Sequence, residues 1–342
     1  MITRELHQQK ITPTRISKQT QSELWESEVR NPKKIYDWFS EAISRAEDEV
    51  FRPNHEVDGA TQNYFNSWSD LKRKNEDLFK LKVHELIEDT AREMASIEIS
   101  ARFDTDPIKP SIKNQPEIEI IVFGGPGTYF TYTKPNKRDP FYMNGWDRQR
   151  NDAGALLAIY LAALKTDNMQ LYTPFSGLES LIILNSSQLK LQSDIKTAIT
   201  ESDVKLTYIG NTTEADAVRQ ALKSPLCLIP DDPRVVTVHD REIINTYSQA
   251  VYIKNKMQNE QNSPLRHYII ISHAPHVVRI ARFLKEALGE VSSDKISFYV
   301  LKTPDIGGYD FPRKEIKGIV YNTLIGKAGE ASIPYSVITS LP

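Results

Sequence analysis

Cysteine is almost missing from this chain: 342 residues contain one, Cys227. That excludes an internal disulfide and any cysteine-based zinc cluster, and it fits a reducing compartment. Cys227 lies in the apolar run LCLIP, a setting that suits a buried, inert thiol better than a nucleophile. Apolar runs approaching the roughly 20 residues of a membrane helix are also missing, so no membrane span is expected. The opening segment MITRELHQQK has no apolar core behind its charges, which argues against a cleaved secretory signal. A cytoplasmic protein is the expectation, with an exported effector lacking a cleaved signal as the variant. No sign of charge predominates either. Lysine and arginine number 43 against 45 acidic residues, for a net charge of −2, and no extended basic run suggests a nucleic-acid partner.

What is present falls into two parts. Residues 1–30 are polar and read as a loosely docked arm. Helical periodicity then runs through Tyr36–Phe51 and Tyr64–Ser100, with apolar stripes opposite Lys, Glu, Asp and Arg. Trp25, Trp38, Tyr64 and Trp68 add aromatic bulk for packing against a main body. A helical region over 1–110 is therefore expected, followed by an α/β domain over 111–342. The Pro-punctuated stretch DTDPIKPSIKNQP leads into that domain, and the pattern changes to short apolar runs alternating with helices.

Strands are expected at Ile120–Phe123, Met169–Thr173, Lys205–Ile209, Leu226–Ile229, Val235–Val238, Tyr268–Ile271 and Ile296–Leu301, with a further apolar run at Leu181–Leu184. Helices are expected at Arg150–Lys165, after Thr213 as a cap, from about Ile244, through Leu288 with Gly289 as a stop, and around Lys314–Ile325. The C-terminus reads as extended. This alternation predicts a Rossmann-like, doubly wound, mainly parallel sheet with an N-terminal helical appendage. Between the first strand and its helix lie more than twenty residues rich in Tyr, Phe, Lys and Arg, read as a flap over the site.

The central unit is His267–Leu288, a strand, a turn and a helix. It puts Ser272, His273 and His276 at a strand's carboxyl end, where open α/β sheets bind ligands, with Arg279 one helical turn beyond His276. Other candidates occupy equivalent positions. Gly124, Gly125 and Gly127 follow the first strand and permit close backbone approach, although their spacing is neither a dinucleotide fingerprint nor a P-loop. Arg150 and Asp152 open the next helix, where an Arg can clamp a phosphate or carboxylate and an Asp can equally favour the helix dipole. Ser176 sits in a small-residue turn. Glu214 lies in the first turn of its helix, and Asn245 and Thr246 begin the helix before the central unit.

The series FGG (Phe123–Gly125), Arg150 before AGALL, FSG (Phe175–Gly177), Glu214-Ala215, Asn245-Thr246 and Ser272 with His276-Val277-Val278-Arg279 resembles the DUF218 superfamily, the YdcF/SanA/ElyC-like bacterial proteins. The likeness spans roughly Glu117–Leu301. Leu178 replaces the family's second glycine after Ser-Gly, and Ser248 and Gln249 stand where the family has Glu and Asn. The resemblance implies a Rossmann-like fold, a crevice that in one member accepts S-adenosylmethionine, and a link to cell-envelope polysaccharide metabolism.

Two functions are expected from these residues. In the first, a phosphate- or nucleotide-containing small molecule, of ADP-ribose, S-adenosylmethionine or nucleotide-sugar type, is bound and acted on by a hydrolase or transferase. Arg150 and Arg279 neutralise its anionic oxygens, and the glycines and Ser176 hold sugar or phosphate. His276 or His273 is general acid/base, and Asp152, Glu214 or Asp240 orients it. A metal-assisted variant through His273, His276 and Asp310 lacks a recognisable ligand spacing. In the second, the sheet is a non-catalytic cofactor-binding module and the helical region docks a protein partner.

Overall fold

The structure is a computed structural model that describes residues 31–51, 69–124, 145–176, 186–225, 227–259, 266–289, 294–303 and 310–341. In chain order the elements are α1 (Pro32–Phe51), α2 (Ser69–Lys74), α3 (Glu76–Phe103), α4 (Pro110–Lys113), β1 (Glu117–Phe123), α5 (Gly145–Lys165), α6 (Ser186–Lys190), α7 (Gln192–Glu201) and β2 (Val204–Ile209). There follow α8 (Thr212–Leu222), β3 (Val236–His239), α9 (Thr246–Asn259), β4 (Arg266–His273), α10 (Ala274–Leu288), β5 (Ile296–Leu301), α11 (Asp310–Leu324) and β6 (Ser336–Ile338).

Six strands form one parallel sheet in the order β3-β2-β1-β4-β5-β6. This is a Rossmann-like, doubly wound α/β fold with added N-terminal helices. Successive strand residues point to opposite faces, so the nearly continuous apolar run of β1 serves two cores. Ile120 and Val122 join Leu206, Ile269 and Ile271 beneath Leu157 and Leu161 of α5. Ile121 and Phe123 join Ile270 and Phe298 beneath Ile253 of α9 and Val277, Ile280 and Leu284 of α10. Burial on both faces explains why these strands lack polar alternation. The chain winds outward through β2 and β3, then returns to lay β4 against β1, which puts the switch point between β1 and β4.

The N-terminal helices form a third layer. Ile35, Phe39, Ala42, Ala46 and Val50 make one stripe of α1, and they share a core with Phe79, Val83, Ile87 and Met94 of α3, Val278 of α10 and Ile316, Ile319 and Val320 of α11. Polar ties reinforce it. Buried Glu98 accepts from Thr303 Oγ1 at 2.6 Å and Arg102 Nε at 2.6 Å, and Arg282 Nη2 donates to Glu93 Oε2 at 3.0 Å. Trp38 packs against this core; Trp25, Tyr64, Trp68 and the arm over 1–30 lie outside the described residues.

Several local expectations are corrected. Met169–Thr173 is no strand: two 3-10 turns, Met169–Leu171 and Thr173–Phe175, replace it. Pro174 has no N–H for a ladder, and the turns bury Leu171, Tyr172 and Phe175 without one. Cys227–Ile229 is buried but irregular, with the Cys227 carbonyl accepting from Gln192 Nε2 at 2.9 Å instead of a strand partner. The cap of α8 is Asn211, not Thr213, because Asn211 and Glu214 exchange side-chain and backbone bonds in a capping box. Helix α5 starts at Gly145, a turn earlier than expected, and α7 is an element the sequence reading did not single out. Gly289 ends α10 with φ 58°, a conformation that favours glycine. Leu181–Leu184 and most of the proposed flap fall outside the described residues.

Candidate functional site

The switch point gathers side chains from five elements. Strand β4 ends in Ser272 and His273, and Pro275 in the first turn of α10 fixes the sharp entry into the helix that carries His276 and Arg279. Opposite, the start of α5 brings Trp146, Asp147, Gln149 and Arg150. Helix α9 contributes Thr246 and Gln249, and α11 contributes Phe311 and Glu315.

Arg150 is 1% exposed. Its Nη1 lies 3.2 Å from His273 Nδ1, and its Nη2 pairs with Asp147. A guanidinium only donates, so His273 Nδ1 is an acceptor and its proton sits on Nε2, 3.1 Å from Gln149 Oε1. Both nitrogens of His273 are therefore engaged. Trp146 covers that ring at 4.9 Å and packs edge-on against Phe311 at 4.5 Å.

A second set adjoins the first. Arg279 Nη2 donates to Thr246 Oγ1 at 2.8 Å, Thr246 Oγ1 lies 3.4 Å from His276 Nε2, and Arg279 Nε is 3.1 Å from Glu315 Oε2. Burial holds His273 and His276 well below the ordinary imidazole range, with Arg150 acting on both rings and Arg279 also on His276. Burial pushes the Glu315 carboxyl up against the opposing pull of Arg279. The site thus holds two neutral imidazoles between two arginines.

On the other side of β1, a small cavity of about 20 Å³, room for roughly one water, is lined by Phe123, Gly124, Asp147, Asn151, Gly210 and Glu214, among others. Gly124 is required here, because a Cβ would meet the Glu214 carboxylate and lie 2.9 Å from Gly210 Cα. Gln249 Nε2 fixes the ends of both strands by donating to the carbonyls of Gly124 at 3.1 Å and Ile209 at 3.0 Å. Asp147 belongs to both the pocket and the arginine–histidine cluster.

Of the residues expected from sequence, Arg150, Thr246, His273, His276 and Arg279 meet in one cluster, with Ser272 fully buried at its edge. Gly124 and Glu214 meet in the pocket, where Glu214 also accepts from Asn211 N at 2.9 Å. Asp152 is buried in α5 with Arg148 Nε 3.6 Å away and does not line the pocket. Ser176 is exposed after the second 3-10 turn. Exposed Asn245 spends its side chain on Ser248 N at 3.0 Å, and Asp240 pairs with Arg219. Gly125 and Gly127 lie outside the described residues, as does the side chain of Asp310. Among the described residues no group of three or more His, Cys, Asp or Glu is placed to hold a metal ion.

Sequence reasoning did not assign a role to Gln149, Trp146, Phe311 or Glu315. Gln149 and Trp146 stand in the same helix start as Arg150, a signal that was available. Glu315 and Phe311 arrive from a helix far along the chain, and only the fold brings them in. No family model, curated protein or solved structure matches this chain.

Proposed function

We propose that this protein binds a phosphate- or nucleotide-containing small molecule at the carboxyl ends of β1 and β4 and acts on it as a hydrolase or transferase. The observation that carries this reading is the convergence of Arg150 and Arg279 on two buried, neutral imidazoles at the sheet's switch point. Open α/β sheets take ligands in that crevice, and arginine is the side chain best shaped for phosphoryl oxygens. His276 is the imidazole left to contact the substrate, because both nitrogens of His273 are taken. The adjoining small cavity, with Glu214, Asp147 and Asn151, suits a single hydroxyl better than a second anion. The DUF218 likeness, and with it S-adenosylmethionine as a possible ligand type, belongs to this reading, as does a cytoplasmic setting consistent with one buried thiol.

Thermal-shift and calorimetric screening with ADP-ribose, S-adenosylmethionine, NAD and nucleotide sugars tests it, followed by product analysis. A ligand that wild type binds and turns over, and that His276→Ala binds more weakly and does not turn over, is the expected result. Binding without turnover by wild type would assign a non-catalytic cofactor module. Failure of the whole panel to bind would overturn the proposal.

A further inference from the structure

Helix α10 begins without a side-chain cap. His273 occupies the N-cap position but makes no side-chain hydrogen bond into the helix, and Pro275 contributes no N–H. The positive end of this 15-residue helix therefore lies buried at the carboxyl rim of the sheet without a side-chain cap. A bare helix end is commonplace, but two buried polar atoms attend this one. Ser272, just before the cap, is 0% exposed, and its hydroxyl has no hydrogen-bond partner among the described residues. His276, the third residue of the helix, is 1% exposed, and its Nδ1 is equally unpartnered. Buried polar atoms are nearly always satisfied, and exceptions call for a reason.

The neighbouring hydrogen bonds fix where the His276 proton lies. Arg279 Nη2 can only donate, so Thr246 Oγ1 accepts from it at 2.8 Å. The hydrogen that Thr246 retains has one acceptor among the described residues, His276 Nε2 at 3.4 Å. An imidazole that accepts at Nε2 and stays neutral carries its proton on Nδ1. His273, held by Arg150 at Nδ1, has the opposite tautomer. One histidine is closed off by its neighbours, and the other carries an N–H that, like the Ser272 hydroxyl, has no partner among the described residues.

We propose that the start of α10 is the seat of a phosphoryl oxygen, received by the Ser272 hydroxyl, the Nδ1–H of His276 and the first-turn amides. His276 acts there as a neutral hydrogen-bond donor and not as a base. This rests on the phosphate-type ligand proposed above and assigns the part of the site that holds the phosphate. A neutral donor suits the place, since a third cation beside Arg150 and Arg279 would be repelled, whereas an N–H directed at an anion is not.

Full-length protein carrying ¹⁵N-imidazole histidine decides the matter by NMR, with His276→Gln identifying the resonance. At pH 7 His276 is expected as the Nδ1–H tautomer. Its Nδ1 signal should move on addition of inorganic phosphate or ADP-ribose, but not with acetate at matched ionic strength. Ser272→Ala should weaken the response about tenfold, the cost of one hydrogen bond to a charged group, while its melting temperature stays at the wild-type value. An Nε2–H tautomer overturns the proposal, as does an Nδ1 signal that neither phosphate nor ADP-ribose moves. A nucleotide that binds by calorimetry while Nδ1 stays fixed removes the seat but leaves the nucleotide-binding reading. A phosphate response without nucleotide binding supports the seat and removes the wider reading.

Discussion

In the amino-terminal half of the sheet a buried carboxylate is enclosed by donors; at the carboxyl rim a buried hydroxyl and an imidazole nitrogen have no partner among the described residues. Glu119 is 0% exposed and accepts from Thr207 Oγ1 at 2.5 Å, Lys256 Nζ at 2.5 Å and Arg266 Nη1 at 3.4 Å. Arg266 also holds Glu117 at 2.7 Å, and His267 Nε2 lies 2.9 Å from Ser297 Oγ. Ser272 Oγ, His276 Nδ1 and Gln249 Oε1 at the other end have no such partners among the described residues. The same scaffold can evidently satisfy buried charge when nothing else is asked of it. Polar atoms left without a partner among the described residues at one rim therefore single that rim out as the place where a ligand can be received.

Substitutions at the two ends should separate stability from binding. The largest effect is expected from Glu119→Ala, which leaves Lys256 and Arg266 partly buried without their shared carboxylate. A loss of about 3 kcal/mol is expected by urea unfolding, as for other broken buried pairs; a loss below about 1 kcal/mol would break the comparison. Next is pH. His267 is held down to about 4 by burial, against 6.5 for a free imidazole. As pH falls below 6.5 the unfolded chain takes the proton first, so this stability is full above 6.5 and fades towards pH 4. Between pH 7 and pH 5 about 2 kcal/mol should go, and His267→Asn should flatten that part of the unfolding profile. His273 and His276, also depressed, add slope of the same sign.

Thr207→Val comes third. It removes one hydrogen bond to a buried carboxylate and should cost about 1.5 kcal/mol in the same unfolding experiment. Smallest is Ser272→Ala at the rim, which removes a hydroxyl with no partner among the described residues and should leave stability within about 0.5 kcal/mol of wild type. A large loss there would show that the hydroxyl serves the fold after all, and the two ends would no longer differ in kind.

The strands that carry the sheet were legible because burial on both faces writes them as apolar runs; Ile296–Leu301 was read to the residue. The pair of 3-10 turns at Met169–Phe175 was misread as a strand because a short apolar segment has the same composition in either form. Within the site, the His-x-x-Arg spacing of His276 and Arg279 and the helix-leading Arg150 stood out by position. Asn245 and Ser176 occupied equivalent positions in the sequence, but Asn245 caps α9 and Ser176 is exposed. Position after a strand does not say which way a side chain turns. Nor did spacing reveal the Glu119 network, since Glu119, Thr207, Lys256 and Arg266 are separated by up to 147 residues and meet only through strand order.

What the sequence determined by itself was periodicity: which segments bury one face, which bury two, and hence an α/β sheet with a helical layer before it. Those patterns are local, set by the 3.6- and 2-residue repeats of the backbone. Tertiary structure alone decided that β4 returns beside β1, that Arg150 and Arg279 flank the same two imidazoles, and that His273 is closed while His276 is open. Those facts depend on angstrom-scale distances between distant parts of the chain, and on which donor reaches which acceptor first. A linear sequence does not carry that information until the sheet has brought its ends together.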